Sequence, residues 1–161
     1  MMLRPARVDE ETALTELVFR SARGRWGYSD EFLAWEPDDI IVHPEFLTDS
    51  STITTVLEDD GRVIGFYVLR SLHGDAPEME LSRMFVEPDV TATGCGRRLW
   101  DHAVDTARSR GVSLLTIDAD PNAEPFYQHM GAETIGEHDW TPPMMPDWRV
   151  KIMRFAIPPT R

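Results

Sequence analysis

Cys95 is the only cysteine among 161 residues, which excludes an internal disulfide and gives no sign of a stapled, exported fold. Long apolar runs are missing as well. No stretch approaches the roughly 20 residues that span a bilayer. The opening Met-Met-Leu-Arg-Pro-Ala-Arg lacks the apolar centre of a signal peptide. The expectation is a cytoplasmic protein with no membrane partner. Cations are scarce: 16 Lys and Arg face 28 Asp and Glu, for a net charge of −12. That balance argues against a nucleic-acid partner and favours cationic ones, amines among them. His43, His102, His129 and His138 show no ligand spacing with one another, so no metal is expected. There is no internal repeat and no low-complexity linker. The length suits one domain over 1–161, with a core that needs neither disulfide nor metal.

What is present reads as mixed α/β. Leu3 to Val8 suits a first strand. Asp9 suits an N-cap, with Ala13, Leu14, Leu17 and Val18 at helical spacing behind it and a fade near Arg23-Gly24. Trp26-Gly27-Tyr28 is a break, and Ser29 suits the cap of a short helix that Pro37 ends. Phe46 and Leu47 fall in a further helical turn or loop. Thr52 to Leu57 and Val63 to Leu69 flank Asp59-Asp60-Gly61, a hairpin signal. After a turn at Gly74 to Pro77, Glu80 to Val86 forms another strand. A helix from about Gly94 to Arg110 follows, with Leu99, Ala103 and Ala107 on one stripe. Val112 to Ile117 reads as a buried strand returned parallel by that helix. A short helix from Pro121-Asn122 ends at Gly131, and Thr134 to Glu137 and Trp148 to Ile157 close the sheet in antiparallel fashion.

The stretch from Glu80 to Trp100 carries the most chemistry. A strand runs into Thr93-Gly94-Cys95-Gly96 and then into a helix. Glycines let backbone approach a partner closely, and a helix N-terminus offers unpaired N–H groups and partial positive charge. Such a place suits an anion, phosphate above all. Arg97 and Arg98 open the helix at the end where cations are mildly unfavourable, which makes sense beside a polyanion; the alternative is solvated surface charge. The loop is not a dinucleotide fingerprint, because Leu99 stands where the third glycine belongs, and no Gly-Lys-Ser/Thr follows for a P-loop.

With these elements in order, the chain resembles the Gcn5-related N-acetyltransferase superfamily. The loop frame Thr91-Ala92-Thr93-Gly94-Cys95-Gly96 is similar to that family's Arg/Gln-x-x-Gly-x-Gly/Ala signature. The segment from Asp120 to Ala132 resembles its Asn-Ala-x-x-Phe-Tyr-x-x-x-Gly signature. Thr91 departs from the usual Arg or Gln, and Ala92 from a common glycine; the Thr91 hydroxyl still donates one hydrogen bond. The resemblance implies a mixed, mostly antiparallel twisted sheet with helices on both faces. A central parallel strand pair would splay to hold coenzyme A.

It also implies acetyl transfer from acetyl-CoA to a primary amine, of a small molecule or a peptide, by direct attack in a ternary complex. The alternatives are a non-catalytic coenzyme A-binding sensor on the same fold and transfer of a longer acyl group. On this resemblance Met84, Phe85 and Val86 present backbone to the acetyl and pantetheine, while Thr91, Ala92, Thr93, Gly94, Gly96 and Arg97 cradle the pyrophosphate. Asn122 reaches the cofactor, its other reading being a helix N-cap. Tyr127 matches the family tyrosine near the sulfur and is the candidate general acid; the other reading is packing. Glu80, eleven residues before Thr91, is the candidate general base, or else a solvated strand residue. Trp26 and Tyr28 fall where the acceptor binds, in a segment made acidic by Asp30, Glu31, Glu36, Asp38 and Asp39. Cys95 sits at a helix N-terminus where thiolates are favoured, but direct transfer needs no acyl-enzyme. The acceptor's identity and a homodimer both stay open.

Overall fold

The computed structural model describes residues 1–35, 40–71, 77–90 and 93–159. Seven strands form one sheet in the order β1-β2-β3-β4-β5-β7-β6. They are β1 (Met2–Pro5), β2 (Thr52–Asp59), β3 (Arg62–Arg70), β4 (Glu78–Val86), β5 (Leu114–Ala119), β6 (Glu133–Glu137) and β7 (Lys151–Ala156). Every pairing is antiparallel except β4 with β5. The β2–β3 hairpin turns on Asp60 at φ 53° and Gly61 at φ 79°, the left-handed pair that a two-residue turn between twisted strands requires. The chain passes from β4 to β5 through α3 (Cys95–Ser109), the expected helical crossover.

Alternation along the strands sends side chains to two faces. On one face, Leu57, Tyr67, Leu69, Leu81, Leu115 and Ile117 bury the stripe Leu99, Ala103 and Ala107 of α3. On the other, Val56, Phe66 and Val68 bury Leu14, Leu17 and Val18 of α1 (Glu11–Trp26). Each fully buried aliphatic side chain of this kind contributes about 1.5–3 kcal/mol. A third cluster joins Ala22 and Tyr28 to Phe32 and Leu33 of α2 (Asp30–Trp35), with Trp26 and Trp148 packed at its side. Helices therefore cover both faces of a mostly antiparallel sheet.

Local differences from the sequence expectations have physical causes. The first strand stops at Pro5, and a 3-10 turn at Val8–Glu10 precedes α1, so Asp9 does not cap it. Glu10 is buried instead, bonded to the Arg4 guanidinium and to the Arg7 N–H. The helix α1 does not fade at Gly24. It continues to Trp26 and ends where Gly27, at φ 68°, donates to the Arg23 carbonyl. At Gly24 a side chain would stand 2.9 Å from Pro88, so that glycine serves close packing rather than termination. Ser29 does begin α2, accepting the Phe32 N–H through its hydroxyl. The last short helix, α4 (Glu124–His129), starts two residues after Asn122. The final strand begins at Lys151, because Trp148 closes a turn onto the Met145 carbonyl. The expected turn at Gly74 to Pro77 lies mostly outside the described residues, as do Glu36, Asp38 and Asp39.

Candidate active site

The parallel ladder between β4 and β5 ends early. Its last rung is Leu81 with Ile117, although β4 continues to Val86. The cause is a bulge: Val68 pairs Arg83 while Leu69 pairs Leu81, leaving Ser82 as an extra residue on β4. Beyond it, Met84, Phe85 and Val86 stay paired to β3 but present an open edge toward β5. Met84 leans to the α3 face and Phe85 to the α1 face, so their side chains pack while the backbone is left to bind. A cavity of about 490 Å³ fills the gap, bounded by Glu80 to Phe85, by Asp118 to Asp120, by Tyr127 and by aromatic side chains.

The glycine loop joins the open end of β4 to α3. Gly94, at φ 86°, precedes the first turn of α3, and its position favours glycine because the left-handed region costs other residues energy. Gly96 has a different reason: a Cβ there would lie 3.3 Å from the Phe126 ring, so the glycine lets α3 and α4 meet. The Thr93 hydroxyl donates to the Val90 carbonyl and lies 3.0 Å from Cys95 Sγ. Cys95 is buried with that partner, away from a nucleophile's place. Arg97 and Arg98 are exposed, and neither has an ion-pair partner among the described residues. Thr91 and Ala92 lie outside the described residues.

Phe126 and Met130 are partly buried against the core, and Tyr127 between them is more deeply buried than either. It is 6 % exposed and its ring meets Trp100, with centroids 5.8 Å apart. Burial pushes its phenol well above the ordinary range; Arg25 works against that and the charge of Asp120 adds to it. Its hydroxyl has no hydrogen-bond partner among the described residues. Ser21 Oγ is nevertheless the one fully buried, unpartnered side-chain polar atom among them, so the Tyr127 hydroxyl keeps its opening to the cavity.

Glu80 is half-buried in the cavity wall, across from Arg70 on β3 and level with Thr116 on β5. Trp26 also lines the cavity, edge-on to Tyr28. Tyr28 is buried, and its hydroxyl is saturated. It donates to Asp120 Oδ2 at 2.6 Å and accepts from Asn122 Nδ2 and Trp148 Nε1, both at 2.7 Å. Asn122 is not the helix N-cap, a place Ala123 takes; its side chain holds Tyr28 and its N–H bonds Asp120 Oδ1 at 2.7 Å.

Sequence reasoning gave no role to Asp120 or Trp148. Asp120 was visible as the start of the Asp-Pro-Asn-Ala segment, but a carboxylate in a turn carries no mark of burial. Burial raises its carboxyl above the usual carboxylate range, against the hydrogen bonds from Tyr28 and Asn122 that lower it. Trp148 had no local signal, since only the turn after Met145 aims its indole at Tyr28. Among the described residues no group of three or more acidic, histidine or cysteine side chains could hold a metal, and no helix is long and apolar enough to cross a membrane.

The chain is similar to known proteins in sequence and in fold. The family model "Acetyltransferase (GNAT) family" matches residues 13–132. A 5-NmdU N-acetyltransferase of Pseudomonas phage PaMx11 is 32% identical over 82 residues, 51% of this chain and 58% of that protein. The chain thus spans little more than half the length of that relative. The peptidyl-lysine N-acetyltransferase YjaB of Salmonella typhimurium is 25% identical over 137 residues, covering 85% and 86% of the two chains. Among solved structures, a PaiA N-acetyltransferase of Thermoplasma acidophilum in complex with coenzyme A shares the fold with a TM-score of 0.75. Its identity is 17%, over 96% of this chain and 98% of that one.

Proposed function

The chain belongs to the acetyltransferase (GNAT) family, and from that premise we propose that 1–161 is one acetyltransferase domain that moves an acetyl group from acetyl-CoA to a primary amine. The observation that carries this reading is the β4–β5 ladder ending at Leu81–Ile117, which opens a cavity onto Tyr127 and a set of carboxylates. Acetyl-CoA supplies a thioester whose acyl carbon is open to attack and whose sulfur leaves.

The residues present fit that donor. Exposed Arg97 and Arg98 stand without carboxylate partners among the described residues at the start of α3, where unpaired N–H groups and Gly94 suit a pyrophosphate. Thr93 and Gly96 shape the same loop, and Thr91 and Ala92 belong to the proposed cradle on sequence grounds. The open edge of Met84, Phe85 and Val86 offers N–H groups to the pantetheine chain and to the oxygen that gains charge in the reaction. Tyr127, neutral and facing the cavity, donates its proton to the departing sulfur. A cavity carboxylate, Glu80 or Asp120, takes the proton of the acceptor ammonium. Trp26, with the aromatic side chains beside it, forms the acceptor wall. That relatives are named for lysine, amino-acid and alanine substrates supports an amine acceptor in general.

The test is thiol release from acetyl-CoA over a panel of amines: benzylamine, L-lysine, L-glutamate, spermidine, kanamycin and an alanine-terminated peptide. Release with at least one amine and none without protein is the expected result. Tight acetyl-CoA binding with no release on any amine would make the chain a coenzyme A sensor. Absence of binding would refute both.

A further inference from the structure

The proton-accepting group can be narrowed from the geometry of the gap, given the acetyl-transfer reading. An acid and a base that serve one reacting carbon must both stand near it. Glu80 sits where β4 and β5 are still paired, level with Thr116. Asp120 lies four residues beyond Thr116, past the end of β5. At a strand rise of about 3.3 Å per residue, that is about 13 Å further along the gap. Asp120 stands at the entry to α4, its carbonyl accepting the Glu124 N–H at 3.1 Å, and α4 carries Tyr127. Both carboxylates line the same cavity.

The surroundings of Asp120 are built rather than incidental. Oδ1 accepts the Asn122 N–H and Oδ2 accepts the Tyr28 hydroxyl, which fixes the carboxylate plane and leaves lone pairs for the cavity. Tyr28 cannot itself take a proton, because its oxygen already accepts from Trp148 and Asn122 while donating to Asp120. These four residues come from the α1–α2 turn, the β5–α4 turn and the loop before β7, and they meet at one point. We propose that Asp120 is the catalytic base that takes the proton of the acceptor ammonium, with Tyr28 as the positioning residue that aims it.

The ammonium gives one proton to Asp120, and the freed nitrogen bonds the acyl carbon while the carbon–sulfur bond breaks. The sulfur takes the Tyr127 proton, and the nitrogen's second proton restores the phenol. The proton on Asp120 passes to water. Burial supports the assignment, since a carboxyl raised from its usual range holds a proton better at the pH where the amine must lose one. The other charged or titratable groups around the gap, among the described residues, are Tyr127 on α4, Glu80 and Arg83 on β4, Arg70 on β3, His43 and Glu45 in the connection before β2, Arg25 on α1, and the Asp118–His138 pair at 3.1 Å.

The experiment is the pH profile of kcat/KM for the whole chain with acetyl-CoA and the fastest amine of the panel. Asp120→Asn should cost about 10²–10⁴-fold and remove the acid limb, while acetyl-CoA binding and the thermal melt persist. Asp120→Glu should restore the limb in part. Tyr28→Phe should lower kcat/KM by less than Asp120→Asn does and move the limb to higher pH, because the lost hydrogen bond aimed the carboxylate and stabilised its charged form. His138→Gln should leave the limb in place. Hydroxylamine, already unprotonated at neutral pH, needs no base, so Asp120→Asn should transfer to it nearly as well as the parent. An acid limb that survives in Asp120→Asn, or that disappears in Glu80→Gln instead, overturns the assignment. Equal loss with hydroxylamine and with the amine also overturns it, by making the role structural. A parent protein that transfers to no amine refutes the acetyl-transfer reading and this inference with it.

Discussion

Replacing Tyr127 by Phe separates chemistry from packing more cleanly than any other change in the gap. The ring is what the fold uses: it meets Trp100 at 5.8 Å and Phe126 at 5.4 Å, and Phe preserves both contacts. The hydroxyl has no partner among the described residues, so its removal strands no donor or acceptor. Stability should therefore change by no more than about 0.5 kcal/mol, the range of substitutions that break no feature. Catalysis should suffer far more. Burial holds the phenol protonated across the working range, and the same poorly solvated gap disfavours a bare thiolate, so acid and leaving group stay matched. Losing a general acid costs about 10²–10⁴-fold, or about 2.7–5.5 kcal/mol of transition-state stabilisation at 1.36 kcal/mol per tenfold.

The assay is kcat from thiol release at saturating acetyl-CoA and amine, next to a thermal melt and acetyl-CoA binding. The expected pattern is a large fall in kcat, an unchanged melt and unchanged binding. A kcat within twofold of the parent would refute the acid. A melt that drops by many degrees along with activity would refute the claim that only the ring supports the fold.

Other expectations follow from the same structure. Arg97→Ala and Arg98→Ala should each raise the KM for acetyl-CoA by about tenfold, equal to about 1.4 kcal/mol. Added salt should narrow that gap, and the melt should not fall, because each arginine stands at the unfavourable end of α3. Gly65→Ala would set a Cβ 2.9 Å from Leu99 Cδ1 and 3.1 Å from the Phe85 carbonyl oxygen. Overpacking against a backbone atom of β4 should cost about 1–3 kcal/mol, read as a lower midpoint in urea. Arg4→Met should lower the melting temperature at neutral pH. The Arg4 guanidinium bonds Glu10 and holds its carboxyl below the usual range, so this stability exists above the unfolded glutamate pKa and disappears as pH falls through the folded one. The difference between Arg4→Met and the parent should therefore shrink in acid; a constant difference would count against the pair.

The sheet was legible because its signals are local. β-branched runs, the Asp60-Gly61 turn and the small-residue stripe of α3 each fix an element without reference to the rest of the chain. The glycine loop was legible for a related reason, since Gly94 and Gly96 are demanded by backbone angle and by the Phe126 contact. The site was legible only in part. Tyr127 was visible through its segment, but its burial follows from α4 docking on Trp100, a contact between residues 27 positions apart. The run to Trp26 was hidden because Gly24 looks like a terminator in sequence and is a packing residue in space.

The tie between Tyr28, Asp120, Asn122 and Trp148 was hidden for a deeper reason. Tyr28 and Trp148 are 120 positions apart, and each has an ordinary local explanation: a break residue after α1, a strand-like aromatic before β7. Only the crossing of three connections turns them into one network. That network constrains the chemistry in a way that separate residues would not. A tyrosine hydroxyl that accepts two hydrogen bonds must donate its one proton to the remaining neighbour, and that neighbour is the Asp120 carboxylate. The direction of the bond is therefore fixed by Trp148, an indole that can only donate. Trp148→Phe should free the Tyr28 hydroxyl to turn, lengthen its hold on Asp120, and shift the acid limb of kcat/KM in the same direction as Tyr28→Phe but by less. A shift in the opposite direction would show that the proton in this bond does not lie where Trp148 forces it.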